Sequence, residues 1–330
     1  VRALPAVAAA AAMLLVGTSS AVSATIADYP VLTGQAVRFA IGAAILLAVA
    51  HRVRGPRPSA RDLLLLVALA ATGLAGFNLF LVEATRHASP AVIGAVVGAV
   101  PVAMAIAGPL VERRRPGRRT VAAAVIVTLG TAVAAGLGGA GAAGLALALG
   151  ALACEVLFSL LAVPLLPRLG PTRVAAYAAA LAVPMLLVAG LAVDGTNALR
   201  APTAGEALSY AYLGVVVTAV AFLLWYNALR ALGPDRAGLF AGLVPVGSLA
   251  ATAALGLAPV GGADLAGALL VGAGIVVGMR RPRPVTSAAL RAHSAWRPGR
   301  AACYGPRMST NVRWYQRFTL APGGAGSHER

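Results

Sequence analysis

Apolar runs of about 18 or more residues recur along most of this chain, separated by short polar stretches. Read as helices, they give ten spans at about 4–25, 33–50, 62–84, 88–111, 119–136, 143–165, 174–193, 207–229, 235–255 and 261–279. Backbone amides in lipid must find partners within their own segment or in a closed barrel. These runs are too long, and too rich in Ala, Leu and Gly, for barrel strands. The pattern predicts an all-α polytopic membrane protein of about ten transmembrane helices.

The polar positions set an expected orientation. All of the basic residues are arginine. With the N-terminus in the cytoplasm, the inner loops carry Arg52, Arg54, Arg57 and Arg61, then the run ERRRPGRR at 112–119, then Arg168, Arg173, Arg230 and Arg236. Arg280, Arg281 and Arg283 follow the last span, while the outer loops carry only Arg86 and Arg200. The asymmetry predicts both termini inside, in a cell membrane. The start, with Arg2, an Ala-rich core and AVSA at 21–24, mimics a cleavable signal peptide, but the short 26–32 loop leads directly into the next span as in a helical hairpin.

The apolar pattern also repeats at an offset of 144 residues. EATR at 83–86 aligns with NALR at 227–230, Pro90 with Pro234, Gly94 with Gly238, Gly98 with Gly242, VPV at 100–102 with VPV at 244–246, and Gly130 with Gly274. Five spans per copy is an odd number, so the copies must be inverted in the membrane, an arrangement that lets two similar halves exchange conformations. The expected units are residues 1–136, residues 143–279 and a basic tail at 282–330. The tail holds Trp296 and Trp314 and has no amphipathic period; its composition predicts disorder, with contact to anionic lipid as the functional alternative.

Composition adds little to this picture except at the charges. The chain is 59% hydrophobic and 11% charged with a formal net charge of +17, and that charge sits in loops and tail, which points to membrane orientation and not to nucleic acid. Cys154 and Cys303 are far apart, so neither a disulfide nor a metal framework is expected. The histidines are His51, His87, His293 and His328, all in loops or tail. No metal-hydrolase, nucleophile-elbow or nucleotide-loop motif occurs, and no cofactor is implied.

A charge at bilayer depth is costly and usually faces the bundle interior or a wet cavity. Glu155 lies near the centre of the sixth apolar run, too deep for a short side chain to reach the interface. It is read either as a protonated group donating to a neighbouring helix or as a cavity carboxylate that meets a substrate ammonium or exchanges a proton. Ser159 lies one turn on, on the same helical face. Arg38 either snorkels to the outer interface or lines the outer half of a cavity. Thr18, Ser19, Ser20 and Ser23 form a small polar face on the first span, read as close packing or as a substrate-lining surface. Asn227 is read as a packing group or a site group, and Glu83 with Arg86 as a helical i,i+3 pair. Pro101 and Pro245, at repeat-equivalent mid-span positions, are expected to kink their helices around a central site. The candidate site is therefore Glu155, Ser159, Ser19, Ser23, Arg38 and Asn227.

Two segments carry a family likeness. They are FNLFLVEATRHASPAVIGAVVGAVPVAMAIAGPLVERRRPGRRTVAAAVIVTLGTAVA, beginning at Phe77, and AYLGVVVTAVAFLLWYNALRALGPDRAGLFAGLVPVGSLAATAALG, beginning at Ala211. With Ala228, Leu229, Arg230, Gly233, Arg236, Ala237, Pro245 and Val246 in the second and Glu112 in the first, the chain resembles the EamA-type family of the drug/metabolite transporter superfamily over about residues 1–280. Where that family has Trp near the middle of the sixth span, this chain has Glu155, and GLAP replaces the Gly-Glu expected after the ninth. The resemblance implies an inner-membrane permease, often an exporter of amino acids, metabolites or drugs, moving a small solute with possible proton coupling. A membrane enzyme acting on a lipid-linked substrate would need clustered acids or histidines at a membrane edge, which the sequence lacks; a scaffold without transport is the remaining class.

Overall fold

The computed structural model describes residues 3–53, 55–135, 141–257, 259 and 261–280, and residues 1–280 form one compact unit. The 282–330 tail, with Trp296, Trp314 and Cys303, lies outside the described residues, as do Arg54, Arg281 and Arg283. The described residues contain no β-strand. They form ten helical segments: α1 (Ala3–Ala24), α2 (Val31–Arg52), α3 (Ala60–Ala84), α4 in two pieces (Pro90–Val97 and Val100–Val111), α5 (Arg118–Ala135), α6 (Ala142–Leu160), α7 (Leu166–Asp194), α8 (Ala204–Leu232), α9 (Pro234–Ala254) and α10 (Gly262–Met279). Nine are long and apolar enough to cross a membrane; α5, which opens on Arg118 and Arg119, completes the ten predicted from sequence.

One stretch departs from the expected boundaries. The chain between the sixth and seventh spans is helical from Leu166, not a loop to residue 173. Gly170 takes a left-handed φ of 77°, so a short turn precedes the long run that Pro171 begins. Glycine carries no Cβ penalty there, and proline is pre-set for a first helical turn.

The repeat is visible in local geometry. α3 starts on a capping box in which Ser59 and Asp62 satisfy one another's backbone amides, and α8 starts on the equivalent box of Thr203 and Glu206. Each helix then widens mid-span into a π-helical segment, Ala70–Gly76 in α3 and Leu213–Val220 in α8. The α5–α10 crossing sits on the pseudo-dyad. A Cβ on Gly130 would meet the Gly267 carbonyl oxygen and Val271 nitrogen at 2.8 Å, and one on Gly274 would meet the equivalent Ala123 oxygen at 2.9 Å and Val127 nitrogen at 3.0 Å. Lipid offers no hydrophobic drive between helices, so backbone-close packing of this kind holds them together.

The two halves are not packed identically. α1 lies tightly on Val244–Ala254, the second piece of α9, whereas its counterpart α6 touches Val100–Val111 of α4 sparsely. The tight crossing depends on two glycines: a Cβ on Gly17 would overlap the Val244 carbonyl, and one on Gly247 the Leu14 carbonyl. Because each obstacle is backbone, it cannot swing aside. Gly247→Leu is expected to cost about 1–3 kcal/mol and to lower the unfolding temperature of the detergent-solubilised protein. An unchanged melting curve would show that α1 and α9 part freely there.

Pro101 and Pro245 act differently from expectation. Neither bends a continuous helix. Both occupy the first turn of the second piece of a broken span, where a missing N–H leaves no bond unmade. In α4 the break falls at Gly98 and Ala99; in α9 the preceding Gly238–Leu243 is a 3-10 turn.

Candidate functional site

Two cavities meet at Glu155. The larger, about 610 Å³, runs from Val16 and Ser20 of α1 and Glu155 of α6 past Gly94–Val100 of α4 to Thr252, Pro259 and Asp264 at one end of the bundle. Its wall is mostly Val, Leu, Ala and Gly, and its carboxylates are Glu155 at the deep end and Asp264 near the mouth. Asp264 caps α10 by accepting from the Gly261 amide at 2.8 Å. The smaller cavity, about 110 Å³, continues from Glu155 and Val16 toward α2, α3 and α8 and is bordered by Ser19, Arg38, Asn78 and the rings of Phe39, Phe77, Phe158, Phe222 and Trp225. Glu155 lies 13 residues into α6, roughly 20 Å from the helix start at 1.5 Å per residue.

The charges at this junction are unpaired. Glu155 has no hydrogen-bond or ion-pair partner among the described residues. Arg38 is held by neutral groups only: Nε donates to Thr218 Oγ1 at 2.9 Å, a guanidinium amine donates to Gln35 Oε1 at 3.2 Å, and the group sits 5.3 Å from the Phe39 ring centroid. Thr218 can accept because the π segment of α8 turns it inward, where its own hydroxyl donates to the Leu213 carbonyl five residues back at 3.0 Å. The Tyr226 hydroxyl, fully buried nearby, also has no hydrogen-bond partner among the described residues. Phe158 packs against Phe222 at 5.0 Å and Tyr226 at 5.2 Å, so the walls around Glu155 are aromatic.

The sequence candidates divide into two groups. Glu155, Arg38 and Ser19 border the cavities, and Pro245 lines the larger one. Ser159, expected beside Glu155, is instead buried as the acceptor for Trp225 Nε1 at 3.2 Å, locking α6 to α8. Ser23 lies in the last turn of α1, away from both cavities. Asn227 is exposed, its amide donating back to the Leu223 carbonyl at 2.7 Å. The core face of α8 carries Phe222, Trp225, Tyr226 and Leu229, and helical spacing turns residue 227 to the opposite side. Pro101 is buried away from both cavities. Glu83 and Arg86 form the i,i+3 pair at 3.1 Å.

Sequence reasoning missed Ser248, Thr252, Thr218 and the aromatic wall. Ser248 shares a 2.6 Å hydrogen bond with Ser20 across the α1–α9 crossing. The Phe222–Trp225–Tyr226 spacing marks one helical face and could have flagged the wall, but only as apolar core.

At the opposite end of the bundle, arginine contacts join the two halves. α4 ends with Arg113 in the left-handed region (φ 55°), which turns the chain so that Arg114 reaches across to Asp235 at 2.8 Å. Arg114 lies outside the spans, and the hydrogen bonds it donates to Asp235 push its pKa further up, so the guanidinium stays charged. Arg168 pairs with Asp62, and Arg173 donates to the carbonyls of Val53 at 3.0 Å and Pro56 at 2.5 Å.

Comparison with known proteins agrees with this architecture. The model of the EamA-like transporter family matches residues 4–136 and again residues 142–279. An uncharacterised transporter, YetK of Bacillus subtilis (strain 168), is 23% identical over 250 residues, covering 73% of this chain and 76% of its own length. A solved structure described only as a crystal structure of a protein shares the fold at a TM-score of 0.69, with 22% identity over 84% of this chain and 98% of its own.

Proposed function

The chain belongs to the EamA-like transporter family, and from that premise we propose that it is a secondary transporter of the plasma membrane that exports a small organic solute by alternating access. The observation carrying this reading is the cavity that enters from one end and stops at an unpaired carboxylate in mid-bundle, while arginine ties close the other end. A soluble or structural bundle gains nothing from such a charge, whose burial costs about 2.5–3.5 kcal/mol on insertion scales. A carrier gains a group that meets a solute or a proton halfway across. The arginine-rich loops at the tied end make that end cytoplasmic, with both termini there, so the cavity opens outward. The two repeats, 1–136 and 143–279, act as the halves that exchange conformations around Glu155.

Two experiments test this. Proteoliposomes loaded with a metabolite extract should release particular solutes unchanged, faster under an imposed pH gradient; chemical alteration of a solute would mark an enzyme, and no flux a scaffold. Reporter fusions after residues 55, 116 and 281 should read as cytoplasmic and those near 28 and 198 as external. An external signal at 116 would overturn the orientation, since that loop holds the densest arginine cluster between spans.

A further inference from the structure

On the premise that the two halves exchange conformations, we infer that the first piece of α4, Pro90–Val97, is a lid. It closes the larger cavity by swinging onto the second piece of α9, and its repeat counterpart at the other end of the bundle already stands in the closed position. That counterpart, Pro234–Leu243, lies closely on the second piece of α4. Four contacts define the fit. Gly238 is so near Met104 that a Cβ would overlap the methionine side chain, and Gly242 is as near to Val127. A Cβ on Gly108 would meet Pro234 Cγ at 2.9 Å, and Leu239 packs with Ala105. Carried across the 144-residue offset, Met104, Ala105, Gly108 and Val127 become Ser248, Leu249, Thr252 and Val271. All four line the larger cavity, and so do Gly94 and Gly98, the counterparts of Gly238 and Gly242. The cavity is thus the space left where the same device stands open. The first piece of α4 leans instead on α5 and α6 and barely touches the second piece of α9. A pivot is in place, because the span breaks at Gly98 and Ala99 and Thr131 on α5 donates to the Gly98 carbonyl at 3.0 Å. The winding differs as well. Gly238–Leu243 is a 3-10 turn, about 0.5 Å longer per residue than the α-helical winding that ends at Val97, so closing stretches the lid toward its seat.

The two closures are unequal. Ala95 and Val96 stand where Leu239 and Phe240 fill the closed end, and Thr252 stands where Gly108 lets the chain pass close. The Arg114–Asp235 pair has no charged counterpart, since residues 258 and 91 are alanines. A lid with smaller side chains and no ion pair seals less firmly, so the protein rests with this cavity open and closes it as the minor state.

Cross-linking across the cavity tests the lid. Ala95→Cys and Leu249→Cys are placed in a chain that also carries Cys154→Ala and Cys303→Ala, and the full chain in lipid nanodiscs is treated with an ethane-bridged bis-methanethiosulfonate. The rate of linking is divided by the rate at which methyl methanethiosulfonate modifies the same thiols, so differences in thiol reactivity and folded fraction cancel. Linking should be slow, because only the closed minority brings the pair together. Arg114→Ala, which loosens the opposite end, should speed it by up to about fivefold. Gly94→Leu, whose side chain stands between lid and seat, should abolish it. Should that variant fail to fold, Thr252→Trp blocks the seat from the α9 side and is expected to do the same. No linking, no rise with Arg114→Ala, or linking undiminished by the blocking substitutions would overturn the inference. Flux of a solute that continues through protein already linked at this pair would refute the lid and leave the transporter reading standing. Linking with the expected responses but no flux of any solute would do the reverse.

Discussion

Proteoliposomes carrying Glu155→Gln are expected to lose coupled transport on the order of tenfold or more, and what flux remains should no longer respond to pH. Gln preserves size and hydrogen-bonding capacity but cannot ionise, so the substitution separates charge from packing. Arg38 on α2 borders the smaller cavity with Glu155, and Tyr226 on α8 packs its ring on Phe158, one turn along α6 from Glu155. Neither forms a bond to it that Gln would break. A structural, permanently neutral glutamic acid would tolerate Gln and keep the wild-type pH profile. That outcome would return the cavity to its neutral polar groups, Ser19, Ser20 and Ser248, and leave the carboxylate as a packing residue.

Cutting the ties at the arginine-rich end should shift the protein toward the opposite conformation. Arg114 joins the α4–α5 loop to Asp235 at the start of α9, and Arg168 joins the start of α7 to Asp62 at the start of α3. Both pairs cross between the repeats. The arginines are about two-fifths exposed, so each tie contributes about 1 kcal/mol at most. The double variant Arg114→Ala, Arg168→Ala therefore changes the balance between conformations by up to about 2 kcal/mol, or roughly thirtyfold. Hydrogen–deuterium exchange in the second piece of α4 and the first turns of α9 should rise accordingly, and the rate-limiting step of transport should change. Removing Asp62 instead would be a poorer test, since that residue also caps α3. Exchange and transport both at wild-type levels would show that glycine-mediated packing alone closes this end.

Residue patterns reached far into this fold. Ten apolar runs gave ten helices because lipid leaves the backbone no other choice within a single segment. The 144-residue offset reappeared in paired capping boxes, paired π segments and the Gly130–Gly274 crossing, because each is a local device written in a few adjacent residues. Glu155 was legible for the same reason: its cost follows from depth along one helix, whatever surrounds it.

The rest depended on which faces meet. Ser159 and Glu155 share a helical face, yet one bonds Trp225 across to α8 and the other, one turn away, borders both cavities. Asn227 and Ser23 are as polar as Ser19 but fall outside the cavities, where rotation about the helix axis or position at a helix end puts them. Sequence alone thus fixed the membrane class, the repeat and the residues whose burial demands an explanation, since those follow from length, period and charge along a single chain. Tertiary structure alone decided that Arg38 and Glu155 border one small cavity, that a larger one runs from Glu155 to one end of the bundle, and that Arg114 and Arg168 join the halves at the other, because contacts between segments distant in sequence depend on helix rotation and crossing, which hydrophobic periodicity leaves free in a bundle apolar on nearly every side.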